Sequence, residues 1–280
     1  VEVPTVLYCH ENQLTYPCPP NEKRDLTYGM INWLSMLAAD RVFFNSSYHL
    51  EDWFRALPNM LKHFPDYSHL HRIDEVRARA SVLPVGCHLQ RLEAVSRSDH
   101  GGEPPLILWN QRWEYDKDPQ TFFRALDALQ GEGVGFRVAI AGKSHRQAAP
   151  EFEAARERLG DRVVHFGHAE PGAYERLLRR ADIVVSTAIH EFFGVAIVEA
   201  IYAGCFPVLP DRLSYPELIP ESHRAVCLYG SFEELVAGLR WALKRSDEVR
   251  ALARELQSTV ARFDWGEMAP IYDRQIAGVG

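Results

Sequence analysis

The sequence predicts an α/β protein of two domains, the second a doubly wound parallel sheet and the first incomplete. Three features predict it. From residue 105 onward, apolar runs alternate with amphipathic stretches five times, the order of a parallel sheet with crossover helices. A shorter succession of strands and helices occupies residues 1–86. Between the two, residues 87–104 turn polar, charged and Gly-rich, a composition that suits a linker.

Taken in order, residues 4–9 read as a strand that ends in His10-Glu11-Asn12-Gln13. Pro17, Pro19 and Pro20 make the next stretch an irregular loop, followed by a helix over 25–39 and a strand over 41–44. Asn45-Ser46-Ser47 caps a helix over 48–57, which Pro58 is expected to end. A helix near 73–79 and a short strand and turn over 81–86 close the first domain. In the second, strands are expected over 106–109, 136–141, 163–166, 183–186 and 206–209, with a last short one over 225–228. Helices are expected over 119–130, 150–159, 173–180, 195–203 and 215–219, and then over 232–244, 247–262 and 265–276.

With 46% hydrophobic and 25% charged residues in 280, this is the composition of a globular protein. A net charge of −7 does not announce a nucleic-acid or membrane partner. No apolar run approaches the ~20 residues of a membrane span. Five scattered cysteines favour a reducing, cytoplasmic setting. The chain opens on Val1 with a strand close behind, so a fragment lacking its first strands is expected.

Four constellations carry candidate chemistry. Glu191 and Glu199 flank Gly194, one in a loop after an apolar strand and one in the second turn of the following helix. Such strand ends and helix starts bind ligands, and two acids there suit the hydroxyls of a sugar or ribose. The alternative is a solvated loop acid and a helix acid paired with a nearby Arg. Arg112 and Lys117 lie in a loop before Pro119, an arrangement suited to a diphosphate, or else paired with Glu114, Asp116 and Asp118. Gly142-Lys143-Ser144-His145 lacks P-loop spacing and reads as a plain turn, and His10-Glu11-Asn12 ends the first strand. Cys9-His10 with Cys18, and Cys87-His88, lack zinc-site spacing; neither GxSxG nor GxGxxG occurs.

Together these stretches resemble the retaining, family-4 glycosyltransferases of GT-B fold, two Rossmann-like domains facing a cleft. Glu191 through Glu199 fits their E-x7-E pattern, and Arg112 and Lys117 match their Arg and Lys after the second domain's first strand. The narrower resemblance is to the tRNA-queuosine mannosyltransferases. It rests on Leu7-Tyr8-Cys9-His10-Glu11-Asn12-Gln13 with Tyr16-Pro17, on Phe43-Phe44-Asn45-Ser46, on residues 109–117, on Glu191-Phe192-Phe193-Gly194-Val195 and on Tyr215-Pro216-Glu217. It implies domains at 1–86 and 105–262, with 263–280 a helix crossing back to the first.

The resemblance implies transfer of mannose from GDP-mannose to the cyclopentenediol of queuosine in tRNA, with no cofactor and no metal. Glu191 would hold the sugar and Glu199 the ribose. Arg112, Lys117 and the N–H groups at Gly194 and Val195 would neutralise the departing diphosphate, with Phe193 beside them. His10 would contact the mannose. Glu11, Asn12, Gln13 and Tyr16 would line the acceptor side. A basic region with Lys62, Arg72, Arg77, Arg79 and Arg91, interleaved with Phe64 and Tyr67, would hold the tRNA, or else form a solvated face. A lipid or small-molecule acceptor with another nucleotide sugar, and an inactive sugar-nucleotide or RNA-binding module, are the rival readings.

Overall fold

The structure, a computed structural model, describes residues 3–17, 24–94, 102–143 and 150–279. Cys18, Ser144, His145 and residues 95–101 of the expected linker lie outside them. The chain divides into two compact units: Val1–Gly86, His190–Phe193 and Trp265–Gly280 form unit 1, while Cys87–Ile189 and Gly194–Asp264 form unit 2.

Unit 1 runs β1 (Val6–Cys9), α1 (Thr27–Ala38), β2 (Arg41–Phe44), α2 (Ser47–Leu61), α3 (Ile73–Ala78) and β3 (Ala80–Val82). The strands pair in parallel in that order. Side chains alternate across a strand, and β2 shows the result. Val42 and Phe44 enter a core with Trp33 and Met36 of α1 and Trp53, Leu57 and Met60 of α2, while Phe43 joins Leu83 and Met268. The Ser46 hydroxyl caps α2 by accepting from the His49 N–H at 3.0 Å. Pro58 does not end that helix, contrary to the sequence expectation. Proline in a helix interior costs on the order of 3 kcal/mol. One further turn buries Met60 and Leu61 beside Leu57, which offsets that cost.

Unit 2 runs β4 (Leu106–Trp109), α4 (Pro119–Gly131), β5 (Arg137–Ala141), α5 (Pro150–Leu159), β6 (Val163–Gly167), α6 (Pro171–Arg180), β7 (Ile183–Val185), α7 (Val195–Tyr202), β8 (Phe206–Pro210), α8 (Tyr215–Leu218), α9 (Glu221–Cys227), β9 (Leu228–Tyr229), α10 (Phe232–Lys244) and α11 (Ser246–Val260). Its parallel sheet has the order β6-β5-β4-β7-β8-β9. Every residue of β4, β5, β7 and β8 is buried, which explains their unbroken apolar runs. Residues 225–228, expected as a strand, are the end of α9 and the first residue of β9. Pro220-Glu221 starts a helix there, and Ala225 and Val226 face solvent. The beginning of the expected linker is packed rather than loose. Cys87, Leu89 and Leu92 are buried, and the Cys87 N–H donates to the Phe263 carbonyl at 2.7 Å.

The last helix, α12 (Trp265–Ala277), belongs to unit 1. Met268 packs with Phe43 and Leu83, and the Tyr272 hydroxyl donates to the Pro84 carbonyl at 3.0 Å. Among the described residues no helix is long and apolar enough to cross a membrane.

Candidate active site

From β4 the chain steps outward to β5 and β6, then returns to place β7 against the other side of β4. The carboxyl ends of β4 and β7 are therefore the topological switch point, where open α/β sheets bind ligands. Two loops leave from it. One follows β4 and carries Arg112 and Lys117; the other follows β7 and leads to α7.

Lys117 closes a tight turn, Tyr115–Lys117, and Asp118 follows in the left-handed region at φ 46. The Asp118 side chain then caps α4 by accepting from the Thr121 N–H, with Pro119 as the first helical residue. This strained corner turns Lys117 inward, so that its side chain is only 8% exposed. Its Nζ lies 3.1 Å from Asp116 Oδ2, and the Arg112 guanidinium is 3.9 Å from the same oxygen. Arg112 also pairs with Glu114 at 3.4 Å. The Lys117 contact is an ion pair without hydrogen-bond alignment, and neither Asp116 oxygen has a hydrogen-bond partner among the described residues. Two cations thus converge on one buried acid, and of the two sequence readings the pairing with Glu114 and Asp116 describes this state.

The second loop is tied to the first from beneath. Thr187 Oγ1 donates to the carbonyls of Lys117 and Asp118, at 2.8 and 2.9 Å, and the Ile189 N–H donates to the Asp116 carbonyl. Below them Gln111 Nε2 donates to Ser186 Oγ, which also meets the Tyr215 hydroxyl at 2.6 Å. Gly142 packs so closely that a Cβ would stand 2.0 Å from the Gln111 carbonyl, so glycine there serves packing. At the far end Gly194, at φ 87, turns the chain into α7 with no side-chain cap. The first residue of α7, Val195, is exposed, and the Gly194 carbonyl accepts from the N–H groups of Ile197 and Val198.

Glu199 lies in the second turn of α7 and is engaged. The Arg91 guanidinium pairs with its Oε1, and the Tyr174 hydroxyl donates to Oε2 at 3.0 Å. Asn110, at the end of β4, donates to the Tyr174 oxygen and to the Ala196 carbonyl. Burial pushes the Glu199 carboxyl up, against the lowering influence of Arg91 and of the Tyr174 hydrogen bond. Of the two sequence readings, an acid paired with an Arg describes this state. That the Arg is Arg91, and that Tyr174 joins it, follows only from the fold. Arg91, expected in the basic region of the first domain, sits in unit 2.

The residues expected on the acceptor side lie in unit 1. His10 and Glu11 are exposed, with the His10 ring 4.9 Å from that of Tyr8. Asn12 is not available to a ligand. It is fully buried, donating to Asp52 Oδ2 at 2.9 Å and accepting from the Leu14 N–H, because the loop after β1 needs an internal pin. Gln13 donates to Glu11 at 3.2 Å. The Tyr16 ring meets His190 edge-on at 4.7 Å. The segment His190–Phe193 belongs to this unit, and its Glu191 Oε1 accepts from the N–H groups of Phe192 and Phe193.

The expected tRNA patch is largely neutralised. Arg77 pairs with Glu51, Arg72 and Arg79 with Glu75, and Arg79 also donates to the Met36 and Leu37 carbonyls. Lys62, at the end of α2, is exposed. Among the described residues no three His, Cys, Asp or Glu side chains converge as a metal site.

Fold and switch-point site define the class: an α/β protein of GT-B fold. Residues 91–258 match the model of the family described as glycosyl transferases group 1, and the chain belongs to that family. Residues 1–87 match the N-terminal model of tRNA-queuosine alpha-mannosyltransferase. The Drosophila melanogaster tRNA-queuosine alpha-mannosyltransferase is 36% identical over 225 residues, 78% of this chain and 60% of that protein. A GDP-mannose:cellobiosyl-diphosphopolyprenol alpha-mannosyltransferase of Xanthomonas oryzae pv. oryzae is 27% identical over 70% of this chain and 52% of its own length. The chain therefore spans between about half and three fifths of these relatives. A sucrose-phosphate synthase from Thermosynechococcus elongatus has the same fold, with a TM-score of 0.71 over 98% of this chain and 68% of its own, at 18% identity.

Proposed function

We propose that this chain transfers mannose from GDP-mannose to the cyclopentenediol of queuosine in tRNA, with retention of configuration and without a metal. The observation that supports the donor half is the place of Lys117 and Arg112 in the loop at the switch point, where Asp116 and Glu114 are their partners, in the unit whose α7 begins without a side-chain cap. Support for the acceptor half is the match of residues 1–87 and the likeness to the fly enzyme.

Negative charge grows on the diphosphate as the sugar–phosphate bond breaks. Fixed cations and helix N–H groups act most strongly on charge that develops in a dry site. Lys117, Arg112 and the start of α7 at Gly194 and Val195 have that role. Glu199 receives the ribose hydroxyls, which share it with Tyr174 and draw it from Arg91. Glu191 orients the sugar hydroxyls, with Phe193 next to it. His10 and Glu11 are the exposed polar groups of unit 1 assigned to the mannose and its acceptor. The acceptor oxygen bonds to the anomeric carbon on the face the phosphate leaves, and its proton passes to the leaving phosphate oxygen.

The test is incubation of the chain with GDP-mannose and queuosine-containing tRNA, followed by mass analysis of the nucleosides. A hexose added to queuosine is expected. No hexose gained with any nucleotide sugar would sink this reading. Transfer to a polyprenyl diphosphate sugar alone would replace the acceptor and leave the donor site standing.

A further inference from the structure

Within unit 1 the segment His190–Phe193 is held by rings. His190 stands edge-on to Tyr16 at 4.7 Å and to Phe192 at 4.5 Å. Phe192 lies flat on His49, centroids 4.1 Å apart and planes 22° apart, with Tyr48 5.9 Å away on a near-parallel plane. The rings are themselves fixed. His49 is fully buried, meets Phe44 of the core edge-on at 5.0 Å, and places Nδ1 2.9 Å from Asn45 Oδ1. Tyr16 belongs to a loop pinned through Asn12 and Thr15, both of which donate to Asp52 Oδ2. Tyr48, His49 and Asp52 all project from the first half of α2. One helix therefore anchors both sides of the clamp.

We infer that Tyr16, Tyr48 and His49 are positioning residues for the donor sugar: by clamping His190 and Phe192 they fix the Glu191 carboxylate carried between those two residues. The inference rests on the reading that Glu191 holds the sugar, and it moves Tyr16 from the acceptor side to the donor side. Glu191 lies between the two clamped rings, and its Oε1 is already drawn to the N–H groups of Phe192 and Phe193. Fixing those two amides fixes where the carboxylate stands. Gly194, at φ 87, follows at once in the left-handed region that glycine adopts freely. Burial holds the His49 ring neutral, its pKa pushed down to about 4, so it stacks without a charge to compensate. An aromatic pair of this kind also prefers offset or edge-on geometry, and the observed angles satisfy that preference.

The test compares wild type with His49→Ala, His49→Phe and Tyr16→Leu. Amide hydrogen exchange at Phe192 and Phe193 is followed in the free protein, and GDP and GDP-mannose are titrated by calorimetry. In His49→Ala the two amides should exchange at least tenfold faster. The affinity advantage of GDP-mannose over GDP should shrink at least fivefold, while GDP alone changes less than twofold. His49→Phe, which keeps the stack, should recover most of both, and Tyr16→Leu should show the same pattern more weakly. Unchanged exchange in His49→Ala, or equal losses for GDP and GDP-mannose, would overturn the inference. A wild type that binds GDP-mannose no better than GDP would instead break the reading of the donor, while the exchange measurement still decides the clamp.

Discussion

Asp116 and Lys117 form a buried pair whose parts have different value. Breaking such a pair on one side leaves an uncompensated charge, whereas removing both charges is far milder. Lys117→Met is therefore expected to cost about 3 kcal/mol in denaturant unfolding, most of it regained when Asp116→Asn is added, by the reasoning of a double-mutant cycle. GDP affinity should stay lost in both proteins, which separates ligand binding from stability. His49 gives a second prediction. Its ring faces Asp52, His190 and His10, and the backbone of Glu11, and burial is the largest cause of its depressed pKa, 6.5 falling to about 4. A depressed histidine stabilises the fold fully above the unfolded value and loses that contribution as pH falls through the folded one. Stability should drop between pH 6.5 and pH 4 by on the order of 3 kcal/mol from this residue. His49→Phe should flatten that part of the curve measured by chemical unfolding at stepped pH.

At the scale of elements, short-range signals were the readable ones. Asp118-Pro119 announces the start of α4, Ser46 the start of α2, and the runs of β4 and β8 are too apolar for anything but a buried strand. Pro58 misled because packing of Met60 and Leu61 outweighs a local penalty, and 225–228 misled because apolar residues there face water. In the site, the pairing within the loop after β4 was legible because Arg112, Glu114, Asp116 and Lys117 lie within six residues. Partnerships across the chain were not: Arg91 reaches Glu199 and Asn12 reaches Asp52 only once the sheets are built. Gly142 belongs here too. Gly142→Ala should force the β5 end away from the Gln111 carbonyl and cost about 2 kcal/mol by overpacking. Because Gln111 precedes Arg112, GDP affinity should fall with it, which calorimetry and thermal unfolding would show together.

For the molecule as a whole, a charge of −7 and the pairing of Arg72, Arg77 and Arg79 with glutamates limit how many phosphates unit 1 can neutralise. Each phosphate contact adds roughly 0.7 to the slope of log affinity against log salt for single-stranded nucleic acid. Queuosine tRNA binding should thus show a slope of about 3 or less. Glu51→Gln with Glu75→Gln, by releasing the arginines, should steepen it and tighten binding, as filter binding across a salt series would reveal. A flat response to both substitutions would place the tRNA elsewhere on the chain.

The helix α12 carries a further implication, one of timing. Trp265 covers Gly86 so closely that a Cβ there would stand 2.4 Å from the indole, and Met268 completes a cluster begun by Phe43 and Leu83. During synthesis on the ribosome, the whole of unit 2 emerges before these partners do. Phe43 and Leu83 must therefore wait uncovered by Met268 while the intervening unit folds.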